Sequence, residues 1–441
     1  MSEGDQGLVT VRQSSDRGRS LAINGKTDAS VGPDSSDMST QLLLGHLPML
    51  LAPGAERALV IGLGSGVSLA AVLAHPVRSV EVLEIEPAVA AAAPWFASAS
   101  RGALADPRVT VTFDDARHRL MVSPQRYQVI ASEPSNPWIS GVSNLFTEDF
   151  YRLARERLEP GGIFCQWLNP WDLSPGEFGS LVAGFLAVFP EATLWKAGEG
   201  RLGWPGSEGY RDQDVLLVAR KGGRLELDWA TLAQGMGRPG AKRDLEGLAL
   251  SGPEGLLKNF LFGPEILSRL AWGEEPNSDD RPRVEFGAGL RLWEPRGEGL
   301  GQGLTARKIE AARQGDTVWS RVISRGEGEK RRCLAMAAFH LKWDRRPDAL
   351  AWLGRAAGIK GEAGARGTGA RETRVRATAG RETGAQLDFA RRRISESGTP
   401  GEALVRLGQL YHSLRMGDEA AELYSSALDL DPGAMRFMSH D

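Results

Sequence analysis

Cysteine is nearly missing from this chain. Among 441 residues there are two, Cys165 and Cys333, far apart in sequence. That excludes a disulfide framework and fits reduced thiols in a cytoplasmic protein. Histidine is sparse as well. The six are scattered, and no Cys/His cluster has metal-ligand spacing, so no metal is expected. Neither sign of charge dominates; a net charge of −3 argues against nucleic acid as a partner. Long apolar runs are missing too. None approaches the about eighteen residues of a membrane span, and Met1 to Gly7 is polar and acidic with no signal-peptide core. No transmembrane segment is expected.

What the chain does have is glycine in a telling place. Arg57 to Ile61 is followed at once by Gly62, Gly64 and Gly66, and then by an apolar helical pattern from Val67 to Leu73. Strand, glycine turn and helix open a nucleotide site in an α/β sheet: glycine lets the backbone turn tightly and approach a ligand, and the helix start offers free N–H groups. Val67 stands where a dinucleotide fingerprint needs its third glycine. The turn therefore points to an S-adenosylmethionine-type nucleoside site rather than to NAD.

The length allows two or three domains. Residues 8–31 hold short alternating runs (Leu8 to Val11, Leu21 to Ile23) around Asn24-Gly25, which predicts a small β-hairpin subdomain within 1–50, followed by an apolar helix over 38–50. Residues 51–222 read as a Rossmann-like domain. Strands are predicted at 58–62, 79–85, 109–113, 127–132 and 162–168, with later ones near 192–197 and 214–220; helices are predicted at 66–75, 87–96 and 145–158. The alternation implies a doubly wound parallel sheet covered on both faces. Thr147 is the expected N-cap of the last helix, and Pro160-Gly161-Gly162 its stop. Residues 223–295 read as an appended α-rich segment with a strand-like Val284-Glu285-Phe286, and 296–329 as a linker and helix. Within 330–441, Leu407, Gly408, Tyr411, Ala420, Tyr424, Ala427 and Pro432 fall at the positions that define a tetratricopeptide repeat of about 34 residues. Residues 330–363 fit more loosely, through Ala337, Ala349, Leu353 and Ala356, and an irregular insert lies at about 361–386. Such repeats bind peptides on their concave faces, so a protein partner is expected there.

Ligands of such sheets lie beyond the C-terminal strand ends. Strand two ends in Glu84, 18 residues past Gly66, near the spacing of roughly 20 at which a carboxylate binds ribose hydroxyls; the alternative is a solvated carboxylate. At the end of strand three, Asp115 is placed to accept from an adenine amino group, with the Ala116 N–H meeting a ring nitrogen; the alternative is a helix N-cap. Strand four ends in Ser132 to Trp138, a loop stiffened by Pro134 and Pro137 that displays Glu133. Glu133 is the candidate general base, or else a cap for a backbone N–H. His46, His118 and Cys165 read as packing or surface residues. Trp138, Trp167 and Trp171 are pocket or core.

At this point the order of motifs becomes informative. Ile23 to Asp28, Gly45-His46-Leu47-Pro48, Leu59 to Gly66, Glu84 to Pro87, Asp115-Ala116, and Leu145-Phe146-Thr147 with Phe150-Tyr151 together resemble the spermidine/spermine synthase family, over roughly residues 8–220. The loop Ser132 to Trp138 is similar to a bacterial branch in which this domain is fused to a transporter-like membrane part or followed by tetratricopeptide repeats. The resemblance implies a class I methyltransferase-type fold and a polyamine aminopropyltransferase. Such an enzyme moves aminopropyl from decarboxylated S-adenosylmethionine to a polyamine and releases 5′-methylthioadenosine; dimers are usual in the family. It places Gly62, Gly64, Glu84 and Asp115 on nucleoside-binding positions. Glu133 stands for the catalytic aspartate, and Asn136 for the second aspartate of the same loop. Thr40-Gln41-Leu42 replaces a Tyr-His-Glu run that helps bind polyamine, and Asp28 replaces a gating glutamine, where it can hold an ammonium group. Two rivals stand beside this reading: another transferase that uses S-adenosylmethionine itself, such as a methyltransferase, and an inactive nucleoside-binding scaffold acting through the repeats.

Overall fold

A computed structural model describes residues 2–291 except 5, 6, 15–17, 33, 34, 36, 171, 172, 198–213, 249 and 258, and beyond them 337, 349, 350, 353, 390–395, 397, 400–413, 423 and 427. The chain divides into two compact units, Met1–Leu227 with Thr231–Val322, and Asp228–Ala230 with Ile323–Asp441.

The first unit begins with a four-stranded antiparallel sheet in chain order: β1 (Ser2–Glu3), β2 (Leu8–Ser14), β3 (Gly18–Ile23) and β4 (Lys26–Val31). Asn24 and Gly25 join β3 to β4, both at left-handed φ (52° and 84°), as a two-residue hairpin turn of type I′ demands. The sequence pattern showed one hairpin; the outer strands are too polar to reveal themselves by alternation. Helix α1 (Asp37–Leu51) follows and is buried over most of its circumference, which is why its apolar run has little amphipathic period.

The main sheet holds eight strands in the order β12-β10-β11-β9-β8-β5-β6-β7. These are β5 (Arg57–Ile61), β6 (Ser79–Glu84), β7 (Val109–Phe113), β8 (Tyr127–Ser132), β9 (Leu158–Leu168), β10 (Thr193–Lys196), β11 (Val215–Arg220) and β12 (Phe260–Phe262). Strands β7, β6, β5, β8 and β9 run parallel, whereas β11, β10 and β12 are paired antiparallel. The Rossmann-like doubly wound sheet is thus mixed. Strand β5 lies between β6 and β8, so the chain leaves it in opposite directions on either side. That makes its C-terminal end the switch point, where such sheets bind ligands.

Helices cover both faces. Helix α1 packs with α2 (Val67–Leu73) and α9 (Pro239–Gly247) on one face. On the other, α5 (Ala116–Val122), α6 (Glu148–Arg157), α7 (Pro175–Val188), α11 (Pro264–Leu270) and α12 (Arg283–Arg291) form the second layer. Beneath that layer lies a continuous core with Tyr151, Phe164, Phe185 and Phe189 at its centre; the Phe164 and Phe185 rings stack at 5.7 Å. Further helices among the described residues are α3 (Pro87–Ala92), α4 (Ala97–Ser100), α8 (Trp229–Met236) and α10 (Gly252–Leu257).

Three local readings change. The helix expected over 87–96 ends at Ala92 and tightens into a 3₁₀ turn at Ala93–Phe96, because Pro94 has no N–H to continue it. Pro160-Gly161-Gly162 is not a loop after α6 but a bulge inside β9, whose register jumps between Tyr127–Leu158 and Val129–Ile163; Gly161 takes φ 77° to make it. Val284-Glu285-Phe286 lies in α12, not in a strand. The strand of this segment is β12, which extends the sheet beside β10. In the second unit, α13 (Pro400–Ser413) carries Leu407, Gly408 and Tyr411, with Leu407 and Tyr411 buried. The positions Ala420, Tyr424, Pro432 and Ala356, the segments 296–329 and 361–386, Trp171 and Cys333 lie outside the described residues.

Candidate functional site

The site is built where β5 ends. Gly62, Gly64 and Gly66 all take left-handed φ, at 89°, 51° and 78°. Gly62 N–H donates to the Leu83 carbonyl at 2.8 Å, and Gly66 N–H to the Leu63 carbonyl at 2.8 Å. The turn is thereby closed on itself and tied to β6, and α2 starts at Val67 with Gly66 as its N-cap.

Glu84 ends β6 beneath that turn. It is buried, with Oε2 accepting from Leu63 N–H and Oε1 from Glu86 N–H, each at 3.0 Å. Burial raises its carboxyl above the ordinary range, and these bonds oppose the rise. Its carboxylate is therefore not a freely solvated one; it shapes the glycine turn directly. Asp115 caps α5, accepting from His118 N–H at 2.8 Å through Oδ1. Ala116 opens that helix, where an N–H has no intrahelical partner. His118 pairs with Asp114 at 2.9 Å near the surface.

Glu133 follows β8, next to β5. Its N–H donates to the Ile61 carbonyl at 2.9 Å. Its half-buried carboxyl accepts from Ser68 Oγ at 2.5 Å, across from α2. Burial pushes the carboxyl up to about 7; the Ser68 bond opposes this, and the charges of Asp214 and Asp37 add to it. Asn136 is buried in the same loop, its carbonyl turned onto Ile139 N–H at 3.1 Å. Asp28, on β4, accepts from Lys26 Nζ at 2.7 Å and from Ser135 Oγ, and Lys26 also donates to Ser135 at 2.9 Å. The N-terminal sheet is thus tethered to the Glu133 loop, and a cation already sits on Asp28.

The structure brings the three glycines, Glu84, Glu133, Asn136 and Asp28 to one end of the sheet. Asp115 and Ala116 lie one strand farther, at the end of β7. Thr40 and Gln41 are buried on α1 and act as ties. Thr40 Oγ1 donates to Asp214 at 2.9 Å. Gln41 donates to the Ser30 carbonyl at 3.0 Å and accepts from Ser65 of the glycine turn. Cys165 is buried in β9, its thiol pushed up by burial and by the charge of Glu133. Trp138 and Trp167 pack against the core.

Sequence reasoning missed several neighbours. The charges of Asp37 and Asp214 reach Glu133, although the three residues lie far apart in the chain. Asn169 follows Leu168, the partner of Val215, which places it opposite Asp214 at the rim. Ser132 Oγ, Gln166 Oε1, Trp167 Nε1 and both polar atoms of Asn169 are buried without a hydrogen-bond partner among the described residues. Orphans of this kind at strand ends call for a ligand or water. Ile85 is 48 % exposed one residue beyond Glu84. An exposed apolar residue at a strand end was visible in the sequence.

Fold and site together define a Rossmann-like domain whose glycine turn and carboxylates gather at the switch point. Residues 38–180 match the spermine/spermidine synthase domain. Over 157 residues the chain is 34% identical to polyamine aminopropyltransferase 2 of Streptomyces coelicolor, covering 34% of this chain and 28% of that one. Over 157 residues it is 31% identical to polyamine aminopropyltransferase of Bacillus subtilis, covering 35% of this chain and 56% of that one. A solved spermidine synthase from Thermotoga maritima is 21% identical with a TM-score of 0.47, covering 61% of this chain and 86% of that one. The chain thus spans 28% and 56% of the length of these two curated relatives. No helix among the described residues is long and apolar enough to cross a membrane.

Proposed function

We propose that this site transfers aminopropyl from decarboxylated S-adenosylmethionine to a polyamine or related amine. The observation that carries the reading is Glu133, a half-buried carboxyl held by Ser68 and raised to about 7 by burial, with the charges of Asp214 and Asp37 adding to the rise. A base whose pKa lies near working pH takes a proton from an ammonium far better than an ordinary carboxylate does. These acidic charges favour an acceptor that arrives as a cation. They disfavour the carboxylate end that ordinary S-adenosylmethionine carries. The match of residues 38–180 to the spermine/spermidine synthase domain supports the same reading.

In this proposal Glu133 takes one proton from the acceptor ammonium. The freed nitrogen lone pair forms the new N–C bond at the carbon next to the sulfonium. The C–S bond breaks, and its electron pair returns to sulfur as the neutral thioether of 5′-methylthioadenosine. Sulfonium is already a good leaving group, so the protein's tasks are deprotonation and alignment. Glu84 would hold the ribose hydroxyls, Ile85 the purine face, and Asp115 with the Ala116 N–H the purine edge. The glycine turn allows the nucleoside to approach the backbone. Asn169 would give its two orphan groups to the acceptor.

The test is release of 5′-methylthioadenosine, read by mass spectrometry. Protein is given decarboxylated S-adenosylmethionine with putrescine, cadaverine, spermidine or agmatine, beside a Glu133→Gln control. Release with one amine, lost in the control, is the expected result. Nucleoside binding without release from any amine would remove the proposal in favour of another transfer reaction or a scaffold role.

A further inference from the structure

We infer that Ser68 is a positioning residue for this transfer: its hydroxyl holds Oε2 of Glu133 and leaves Oε1 as the proton acceptor. The inference rests on the reading of Glu133 as the base. Glutamate carries one more rotatable bond than aspartate, so a glutamate base needs an anchor that an aspartate does not. Here both ends of the residue are held. The backbone is pinned to β5 through the Ile61 carbonyl at 2.9 Å, and the carboxyl to α2 through Ser68 Oγ at 2.5 Å.

Ser68 itself cannot drift. It is 2 % exposed, in the first turn of α2. Helix α1 lies directly on it, so closely that a β-carbon on Gly45 would stand 2.5 Å from the Ser68 carbonyl oxygen and 2.5 Å from Ala71 Cβ. The hydroxyl therefore presents a fixed donor to a side chain that would otherwise sample several rotamers. A donated bond also favours the charged carboxylate, which is the form that accepts a proton. Among the described residues, the titratable groups that interact electrostatically with Glu133 are Asp37 on α1, Asp214 before β11 and Cys165 on β9. None of them is altered by changing Ser68.

The experiment compares the full chain with Ser68→Ala, Ser68→Thr and Glu133→Gln, following 5′-methylthioadenosine release from about pH 5.5 to about pH 9.5. In Ser68→Ala the rising limb moves up by about one pH unit. Turnover falls about tenfold above the limb, where the carboxylate is fully charged but no longer held in place, and further below it, while KM for both substrates changes less than about twofold. Ser68→Thr, which keeps the hydroxyl, returns the limb to its place. Full parental turnover above the limb, or an unmoved limb, overturns the inference. If Glu133→Gln abolishes release while the Ser68→Ala limb stays put, only the role of Ser68 is lost. If Glu133→Gln retains release, the base is another group and both readings fall. A carbon-13 titration of the Glu133 carboxyl, assigned by its disappearance in Glu133→Gln, decides the matter without turnover. Its midpoint rises in Ser68→Ala and not in Ser68→Thr, and an unchanged midpoint in Ser68→Ala overturns the inference.

Discussion

A β-carbon on Gly62 would stand 2.5 Å from the carbonyl oxygen of Glu133. The first glycine of the turn and the candidate base are therefore one piece of structure, with backbone against backbone and no room for a side chain. Gly62 also holds φ at 89°, where a residue with a β-carbon is strained by about 1–2 kcal/mol. Gly62→Ala should push the Glu133 loop outward by about 1 Å and lower turnover about a hundredfold. Gly54→Ala, whose β-carbon meets nothing within 4 Å, is the control and should behave as the parent. Calorimetric binding of 5′-methylthioadenosine and turnover, measured on both variants, check this. Equal behaviour would show that the turn and the loop are not coupled.

The raised carboxyl of Glu133 has a stability signature. In the unfolded chain it loses its proton near the ordinary value of 4.5, and in the folded one near 7. Between these values the folded state binds more protons, so stability falls as pH climbs from about 4.5 to about 7 and stays reduced above. The penalty is on the order of 1–3 kcal/mol once solvent screening is allowed for. Glu133→Gln escapes it and can still accept from Ser68. The variant should unfold at higher urea than the parent near pH 8, and at equal urea near pH 4. Urea titrations at the two pH values measure it, and a parent as stable as the variant near pH 8 would count against the raised carboxyl.

The negative charge of Asp214 helps to raise the Glu133 carboxyl. Asp214→Asn should lower the Glu133 carboxyl, so the rising limb of the rate profile moves to lower pH. The same change removes one attraction for a cationic acceptor and should raise its KM by about tenfold, near 1.4 kcal/mol, with KM for the nucleoside little changed. Steady-state kinetics in both substrates separate the two effects. A KM change confined to the nucleoside would place Asp214 on the other side of the site.

Away from the site, Asp244 on α9 joins four elements. It accepts both guanidinium arms of Arg101 at 3.0 Å and meets His46 Nε2 at 3.1 Å, while His46 Nδ1 meets His75 Nε2 at 3.0 Å. Burial first, then the neighbouring charges of His46 and Arg238, hold His75 down to about 3. The unfolded chain takes up a proton there near 6.5 that the fold refuses, so stability declines as pH falls from about 6.5 toward about 3. Asp244→Asn leaves Arg101 without its charge partner at the edge of a buried network and should lower stability by about 2–4 kcal/mol at neutral pH. Calorimetric unfolding reads this. Because the network lies at the far end of α2 from Ser68, nucleoside affinity should hold.

The order of elements was legible because each signal is local. The run Ala58 to Ile61, the three glycines, the Thr147 cap and the alternation of strand and helix each depend on residues within one turn or one strand. Thr147 accepts from Phe150 N–H as its spacing implied. The misreadings have local causes as well: Pro160-Gly161-Gly162 carries the chemistry of a loop, yet pairing with β8 and β11 absorbs it as a bulge. The strand at Phe260–Phe262 is three residues long, too short for any period to show.

The sequence by itself determined the doubly wound core, the position of the glycine turn and the strand-end carboxylates Glu84, Asp115 and Glu133. Those follow from periodicity, backbone freedom and chain order, which act over a few residues. Only the tertiary structure decided what each carboxylate meets. Glu84 is spent partly on Leu63 and Glu86, Asp115 on its helix, Asp28 on Lys26, and Glu133 on Ser68 among Asp37 and Asp214. The physical reason is that protonation and hydrogen bonding depend on burial and on charges that only the fold brings into range. Ser68 reaches Glu133, and the charges of Asp37 and Asp214 act on it, only once the sheet is assembled and α1 is laid across it.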